Sequence, residues 1–169
     1  ELGLPEVLDI PDSARQDPIF ARTEGREKGR DGCRVPMPWT NSSERLTGFS
    51  TSANVESWMP QPEDWGSRSV EIQDHDSDSM LSLYRQALSC RIDMVKQGEE
   101  IHFIGDGTDG LFSFTRGSYA VVVNTSEDAV EIPSEILMNR NLILESVRGA
   151  FSGVGKGSLI AGNSAVWLG

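Results

Sequence analysis

The segment 1–73 constrains the fold more than any other feature of the sequence. It holds seven of the eight prolines and three of the four tryptophans, and it shows little helical or strand periodicity. A short helix is predicted around Ser13–Arg22, and a single turn at Gln61–Trp65 with Pro62 near its first position. Loops this long are uncommon inside a compact domain, where they are usually functional or are supported by another scaffold. We therefore expect this segment to be loop-rich and to depend on structure elsewhere.

The next stretch, DHDSDSMLSLYRQALSCRIDMVKQG, predicts one long helix from about Asp78 to Gln97. Acidic residues crowd its start, where negative charge meets the positive end of the helix dipole, and Ser77, Asp78 or Ser79 could cap it. Gly98 supplies a stop signal. Apolar residues recur every three or four positions and predict one buried stripe: Leu81, Tyr84, Leu88, Ile92 and Val95.

The residues after Gly98 predict strands. Six short β-branched or aromatic runs are separated by turn residues, including Asp106-Gly107 and a glycine-rich loop at Gly153–Gly157. Evenly spaced short strands of this kind are typical of an antiparallel sheet or sandwich. We predict a first part over residues 1–97 and a small all-β domain over residues 98–169, without strong helices. The aromatic residues predicted to alternate into its core are Phe103, Phe112, Phe114 and Trp167.

The composition excludes several classes of partner. The net charge of −11 argues against a nucleic-acid-binding surface. No apolar run approaches the roughly 20 residues that cross a bilayer. Two cysteines are too few for a disulfide framework, so we expect a reduced, cytoplasmic protein. The chain also opens without a methionine, which we interpret as a sign that it is part of something longer.

Candidate catalytic and metal-binding residues are sparse. His75 and His102 have no second ligand at metal-binding spacing, and His102 is predicted to face solvent because it alternates with apolar neighbours. Cys33 is interpreted as a buried apolar cysteine rather than a nucleophile. The stretch GVGKGS lacks the spacing of a phosphate loop and is interpreted as a hairpin turn. No acid has a sequence context that predicts a raised pKa, so we expect no catalytic residue, metal or cofactor in this chain.

The stretch GREKGRDGCRVPMPWT stands out in this acidic chain. Five of the 15 basic residues lie between Arg22 and Arg34, interleaved with three acids. The acids Glu24, Glu27 and Asp31 are predicted to be salt-bridge partners, because neighbouring arginines lower carboxyl pKa values.

The prolines and the tryptophan that follow suggest a rigid corner. Arginine suits bidentate binding of carboxylates and hydrogen bonding to adjacent hydroxyls. Pro36 and Pro38 fix the backbone and Trp39 is predicted to pack the corner, so Arg30 or Arg34 could be held in one rotamer as a binding pocket needs. The alternative is that Arg30 and Asp31 simply pin a loop.

The chain resembles α-glucosidases of glycoside hydrolase family 13, most closely the actinobacterial type. The resemblance rests on ELGLPEV, DIP, DPIFART, GREKGRDGCRVPMPW, GFS, WMPQPEDW, SMLSLYRQAL and the final NSAVWLG. It covers the C-terminal third of such an enzyme. It implies a mixed fold in which residues 1–97 form the end of a (β/α)8 barrel, namely the loop and insert after the eighth strand and then the eighth helix. Residues 98–169 would be the antiparallel β-sandwich.

The resemblance also implies an activity and a site. The family retains anomeric configuration with an aspartate nucleophile and a glutamate acid/base, and a second aspartate aids the transition state. All three would lie upstream of Glu1, so the isolated chain would be inactive. Arg30 would bind hydroxyls of the terminal glucose, although Arg34 could make this contact instead, and the other arginine would brace the loop with Asp31.

The expected partners are the missing N-terminal barrel portion and α-glucosides such as maltose- and isomaltose-type oligosaccharides. Two other functions stay open: a stand-alone carbohydrate-binding β-module, and a relative that hydrolyses sucrose or transfers glucosyl groups.

Overall fold

The computed structural model describes residues 1–105, 107, 110–153 and 157–169. They form two compact units, Glu1–Ser82 and Leu83–Gly169, and the division between them falls inside the long helix. The domain boundary predicted after residue 97 is a different division and stays a prediction. Within the described ranges, no helix has the length and apolar character that a membrane span requires.

The first unit consists mostly of loops, as predicted. The expected helix near its start is split into a 3₁₀ turn at Asp12–Ala14 and helix α1 at Pro18–Arg22. The split occurs at Asp17, whose side chain caps α1 by accepting from the backbone N–H of Ile19 at 3.1 Å, with Pro18 at the first helical position.

Three further helical elements follow in this unit. A 3₁₀ turn covers Asp31–Cys33, and a longer 3₁₀ helix, Glu63–Arg68, follows Pro62 at the site of the predicted turn. Helix α2 then spans Val70–Asp74.

A small apolar core holds the loops of the first unit. Its buried residues are Ile10, Val35, Met59 and Trp65. Polar contacts complete it, because the amide of Gln73 donates to the carbonyls of Leu2 and Arg68 at 2.9 Å each. This core places the chain around residues 30–35 against the first ten residues.

Helix α3, Met80–Lys96, is the long helix predicted from the sequence. Ser79 caps it by accepting from the N–H of Ser82 at 3.2 Å, which confirms one of the three candidate caps. The predicted buried stripe is wrong beyond Leu81, because the other four positions have exposed fractions between 41% and 58%: Tyr84, Leu88, Ile92 and Val95. The less exposed side of the helix carries other residues: Leu83, Ala87, Cys90 and Met94.

The second unit contains two antiparallel sheets. The strands are β1 His102–Ile104, β2 Leu111–Arg116, β3 Tyr119–Asn124, β4 Val130–Glu131, β5 Leu142–Glu145, β6 Phe151–Ser152, β7 Leu159–Ile160 and β8 Ser164–Leu168. The larger sheet has the strand order β1-β2-β3-β8-β5 and the smaller sheet the order β4-β7-β6. All six predicted strands are present. The two-residue strands β6 and β7 and the single-turn helix α4, Ser134–Leu137, were not predicted.

The core of this unit lies between the two sheets. Val122 and Val166 of the larger sheet pack with Ile160 of the smaller one and with Ile136 of α4, and all four are fully buried. The turn predictions at Asp106-Gly107 and Gly153–Gly157, with the hairpin turn at GVGKGS, fall partly outside the described residues.

None of the four aromatic residues predicted for this core belongs to it, neither the three phenylalanines of β1 and β2 nor Trp167 of β8. Phe103 is 66% exposed and Phe112 is 46% exposed, whereas Phe114 and Trp167 are half-buried. Strand β2 turns its Ser113 inward instead, where the hydroxyl donates to the carbonyl of Ile104 at 2.8 Å. The three phenylalanine rings cluster on the sheet's other face, with ring centroids 5.5 to 6.2 Å apart.

Candidate functional site

Two carboxylates and one guanidinium join the chain before α1 to the arginine-rich loop. The Nη1 atom of Arg34 donates both to Asp17 Oδ2 at 2.9 Å and to Asp31 Oδ1 at 3.0 Å. Charge-assisted bonds of this kind are stronger than neutral ones and fix the geometry of all three groups. We call these three residues the loop clamp.

Asp31 is the centre of the loop clamp. Its side chain is 1% exposed, and its second oxygen accepts from the backbone N–H groups of Gln16 at 2.8 Å and Asp17 at 2.9 Å. The bond from the Asp17 N–H is the main cause of a lowered pKa for Asp31, and Arg34 adds to it. This carboxylate is therefore ionised at neutral pH, and all of its bonds serve to hold the loop.

Asp17 performs three tasks at once. Besides capping α1 and binding Arg34, its Oδ2 accepts from the backbone N–H of Arg30 at 3.0 Å. That bond from Arg30 is the largest cause that lowers the pKa of Asp17 to about 2. The side chains of Asp17 and Asp31 raise the pKa of Arg34 in turn. The clamp thus carries two negative charges and one positive charge in a fixed arrangement.

A second arginine, Arg15, anchors the same loops from inside. Its guanidinium donates to the carbonyl oxygens of Ile10 at 3.0 Å, Lys28 at 3.2 Å and Leu8 at 3.3 Å. It also lies 5.8 Å from the ring centre of Phe20, within the range of a cation–π contact. Arg15 is buried, so it positions the loop and is not available to a ligand.

Two glycines allow the loop segments around the clamp to approach each other closely. Gly29 has φ +67°, and a side chain there would overlap the Cβ of Asp17. At Gly32 a Cβ atom would collide with the backbone carbonyl of Val7, whose N–H donates to the Gly32 carbonyl at 3.1 Å. The sequence GRDG therefore has glycine where the backbone is closest to its neighbours.

The two candidate sugar-binding arginines differ in how the loop clamp binds them. The guanidinium of Arg34 is engaged by both carboxylates, and its side chain is 44% exposed. Arg30 is exposed, and across the described parts of the chain its guanidinium has no hydrogen bond or ion pair. Only the backbone of Arg30 is held. The backbone of Arg30 is therefore fixed, while its guanidinium N–H groups are not bonded to any described residue.

Other predicted residues lie elsewhere in the loop. The ring of Trp39 is 47% exposed; its backbone N–H donates to the Thr47 carbonyl at 2.7 Å, and the buried residue of the corner is Pro38. Cys33 is exposed, which contradicts the prediction of a buried thiol.

Of the three predicted salt-bridge partners, only one forms an ion pair with a described residue. Glu24 and Glu27 have no ion pair with any residue the structure describes, so the salt-bridge prediction is right for Asp31 alone. His102 faces solvent as predicted, with 69% of its side chain exposed. No group of three or more potential metal ligands occurs within the described ranges.

Sequence reasoning missed Arg15 and Asp17. The dipeptide Asp17-Pro18 is a signal for a helix N-terminus and could have identified the cap. Its second role, as acceptor for Arg30 and Arg34, joins residues 13 and 17 positions apart and has no local signal.

Acid should open the loop clamp. The pKa of Asp17 in the folded chain, about 2, lies below its ordinary value of about 4. A lowered folded-state pKa adds stability above about pH 4, and that stability is lost as the pH falls through about 2. We expect the backbone amide signals of Ile19 and Arg30 to titrate over this window in ¹H–¹⁵N spectra.

Two variants check this assignment. An Asp17→Asn chain should lose the transition, whereas Asp12→Asn, at a side chain that is 76% exposed, should keep it. A transition centred near pH 4 in the unsubstituted chain would contradict the clamp.

The site can bind but has no group suited to proton donation. Asp17 and Asp31 are ionised and fully engaged, so neither can act as a general acid at neutral pH. What the arrangement offers is a cationic, multidentate donor on a rigid loop. Such a group recognises hydroxyls or carboxylates.

Comparison with known proteins identifies a family model and several relatives that match the chain. Residues 1–105 match the model for the α-amylase catalytic domain. An α-glucosidase of Candida albicans is 33% identical over 126 residues, which are 70% of this chain and 21% of the relative. A probable α-glucosidase of Rhizobium meliloti is 38% identical over 92 residues, which are 54% of this chain and 15% of the relative. The chain therefore spans about a fifth or less of the length of these relatives.

Solved structures of other proteins can be superposed on nearly the whole of this chain. The α-glucosyl transfer enzyme XgtA matches 99% of this chain and 31% of its own, with a TM-score of 0.75 and 25% identity. The trehalulose synthase MutB from Pseudomonas mesoacidophila MX-45 matches 99% of this chain and 34% of its own, with a TM-score of 0.72 and 18% identity. These neighbours are (β/α)8-barrel proteins, and with the antiparallel sheets of the second unit they confirm the predicted fold class.

Proposed function

Because the chain belongs to the α-amylase family, glycoside hydrolase family 13, we propose that it is the C-terminal, non-catalytic part of an exo-acting α-glucosidase. In this proposal the complete enzyme removes terminal α-linked glucose from oligosaccharides with retention. The sequence motifs favour an oligo-1,6-glucosidase or maltase of the actinobacterial type. The catalytic carboxylates belong to parts of the enzyme outside this chain.

The loop clamp is the observation that carries this proposal. A retaining glycosidase needs two carboxyl groups about 5 Å apart, one of them able to donate a proton. The two acids of the clamp are instead ionised and bridged by Arg34. The proposed division of labour follows: this segment orders a binding loop, and the rest of the enzyme breaks the bond.

Arg30 is the proposed contact to the terminal glucose. Arg34 is already bonded to Asp17 and Asp31, which suits the bracing role. Arg30 has a fixed backbone and free donors, which suit adjacent hydroxyls of a pyranose. Asp31 then braces the loop, and Trp39 contributes through its backbone.

We also propose that residues 1–97 end the barrel and residues 98–169 form the sandwich. The exposed apolar positions of α3 support this division, because a soluble protein rarely leaves such a stripe uncovered. In the complete enzyme the missing barrel portion would cover Tyr84, Leu88, Ile92 and Val95.

Light scattering tests this division. The isolated chain should associate with increasing concentration, and the double substitution Leu88→Glu/Ile92→Glu should largely abolish that association. Val147→Glu, at a residue that is 58% exposed in a loop, is the matched control and should change nothing. A strictly monomeric unsubstituted chain would count against the proposal.

A stand-alone carbohydrate-binding module is the second candidate. The exposed rings of Phe103 and Phe112, which cluster with the half-buried Phe114, favour it, since such modules stack sugars on exposed aromatic rings. Titration of maltooligosaccharides would give binding that Phe103→Ala weakens if this function is correct. If the α-glucosidase proposal is correct, that substitution leaves sugar binding unchanged.

The likeness to XgtA keeps glucosyl transfer open as the reaction of the complete enzyme. Product analysis with an alcohol acceptor separates hydrolysis from transfer, and sucrose as the donor tests the sucrose-hydrolysing alternative.

A further inference from the structure

The backbone that follows Arg34 forms a corner with two prolines, residues 36–39. Pro36 and Pro38 have no N–H group, so carbonyl oxygens make up most of the polar groups of this corner. The carbonyls of Pro38 and Trp39 accept from backbone N–H groups at the start of helix α2, at 3.1 and 3.0 Å. The carbonyl of Pro36, two residues after Arg34, accepts instead from a side chain.

Gln61 provides that side chain. Its amide Nε2 donates to the Pro36 carbonyl at 2.9 Å and to Thr47 Oγ1 at 2.6 Å. One amide nitrogen therefore joins two segments that lie 25 and 14 residues before it in the chain. Thr47 is 6% exposed, and its hydroxyl donates in turn to the carbonyl of Leu46 at 2.7 Å. Because the Thr47 hydroxyl is buried, loss of a partner would leave it unsatisfied at a cost in stability.

Thr47 belongs to a turn with an unusual backbone. Residues 45–48 all have positive φ, between 51° and 78°, and only the last of them is a glycine. Residues with side chains rarely adopt this region, and such conformations persist only where surrounding contacts enforce them. The Thr47 carbonyl supplies such contacts by accepting from the N–H groups of Trp39 and Thr40, at 2.7 and 2.9 Å. The turn and the corner thus hold each other through the backbone and the side chain of Thr47.

The corner and the loop clamp are consecutive in the chain. Val35, directly after Arg34, is 8% exposed and belongs to the apolar core of the first unit. The guanidinium of Arg34 binds Asp17 Oδ2, which also accepts from the backbone N–H of Arg30. The arginine-rich loop is therefore held on one side by the carboxylates of the clamp and on the other by Gln61.

We propose that Gln61 is a positioning residue for the arginine-rich loop. Its two bonds fix the corner, the corner fixes the backbone of Arg34, and the clamp transmits that position to Arg30. This inference rests on the proposed function, because the position of Arg30 affects the reaction only if Arg30 binds the glucose. Gln61 itself needs no contact with the substrate, since it acts through the arginines.

The acid transition of Asp17 tests this role, because the bond from the Arg30 backbone and that from the Arg34 side chain both lower the pKa of Asp17. Gln61→Met keeps the length of the side chain but cannot donate a hydrogen bond. In ¹H–¹⁵N spectra of the 169-residue chain, it should raise the midpoint from about 2 by about one pH unit. Gln86→Met, at an exposed residue of α3, is the matched control and should not move the midpoint. An unchanged midpoint in a folded Gln61→Met chain would overturn the proposal.

Thr47 provides a second pair of variants if Gln61→Met does not fold. Thr47→Val keeps the branched shape but removes the hydroxyl that accepts from Gln61, so it should raise the Asp17 midpoint in the same direction. Thr47→Ser keeps the hydroxyl and should leave the midpoint near 2. Equal midpoints in the Thr47→Val and Thr47→Ser chains would refute the role of Gln61.

Kinetics of the complete enzyme test whether Gln61 acts through Arg30. Gln61→Met should lower kcat/KM for 4-nitrophenyl α-D-glucopyranoside about tenfold when Arg30 is present. In an Arg30→Ala enzyme the same substitution should cost less than about twofold, because its effect requires the arginine. A residue that only supports folding would cost the same factor in both enzymes, and that result would contradict the proposal.

Failure of the proposed function gives a different pattern. The Asp17 titration is measured without substrate or turnover, so it reports on Gln61 whatever the reaction is. A raised midpoint in Gln61→Met together with full activity of Arg30→Ala would support the positioning of the loop and reject Arg30 as the glucose contact. An unchanged midpoint together with a large loss of activity in Arg30→Ala would reject the role of Gln61 alone.

Discussion

Arg30→Ala in the complete enzyme should lower kcat/KM for 4-nitrophenyl α-D-glucopyranoside by about 10- to 100-fold. The reason is that hydrogen bonds to a charged group contribute about 1.5 to 3 kcal/mol, and each 1.4 kcal/mol is a factor of about ten. Arg30 is the proposed contact because its backbone N–H is bonded to Asp17, whereas its guanidinium has no bond to any described residue. Steady-state kinetics of the purified variant measures the effect.

Two further variants sharpen this result. Arg30→Lys keeps the charge but loses the planar fork, so it should recover only part of the rate. Arg22→Ala, at an exposed arginine in the last turn of α1, is the matched control and should be neutral. If Arg30→Ala keeps kcat/KM within about twofold of the unsubstituted enzyme, Arg30 is not the glucose contact.

Asp31→Ala should lower kcat/KM nearly as much, although we expect no contact between Asp31 and the substrate. The substitution removes the acceptor of two backbone N–H groups and one of the two carboxylates that hold Arg34. The loop that carries Arg30 then loses its position, and a misplacement of about 1 Å can cost about 100-fold in rate. We expect a fall in kcat/KM of that order, with faster proteolysis between Arg15 and Arg34.

The control for Asp31 is Asp12→Ala. Asp12 is also an acid next to an arginine, but its side chain is 76% exposed and its contact to Arg15 is 3.4 Å long. It should leave both the rate and the proteolysis pattern unchanged. An Asp31→Ala enzyme with intact loop signals and full activity would show that the clamp has no part in function.

The elements of the fold with a strong local period could be predicted from the sequence. Helix α3 has both ends marked by local signals, and Ser79 is among the predicted caps. The six predicted strands could be found because β-branched and aromatic runs separated by turn residues are local features. Strands β6 and β7 have two residues each and exist because their partners in the smaller sheet hold them.

Burial was harder to predict than secondary structure. The period of α3 identifies apolar positions but not what covers them, and here Leu88 and Ile92 are exposed. Alternation along β2 correctly separates two faces of the sheet. Alternation does not show which face is inside. The inward face carries Ser113, whose buried hydroxyl donates to the carbonyl of Ile104.

Only part of the candidate site could be predicted from the sequence. The arginine-rich stretch and its prolines indicated a rigid loop, and the i, i+3 spacing of Asp31 and Arg34 allowed a local ion pair. The proposed choice of Arg30 over Arg34 depends on Asp17, which lies 17 residues before Arg34 and accepts from the Arg30 backbone N–H and the Arg34 guanidinium. Contacts over that distance depend on the tertiary fold and have no sequence period.

In the proposed α-glucosidase, this segment holds the sugar while the rest of the enzyme breaks the bond. Release of 4-nitrophenol from 4-nitrophenyl α-D-glucopyranoside, by the purified 169-residue chain and by the complete enzyme, measures this division of roles. We expect turnover by the complete enzyme and a rate for the isolated chain equal to the protein-free blank. Turnover by the isolated chain above that blank would contradict it.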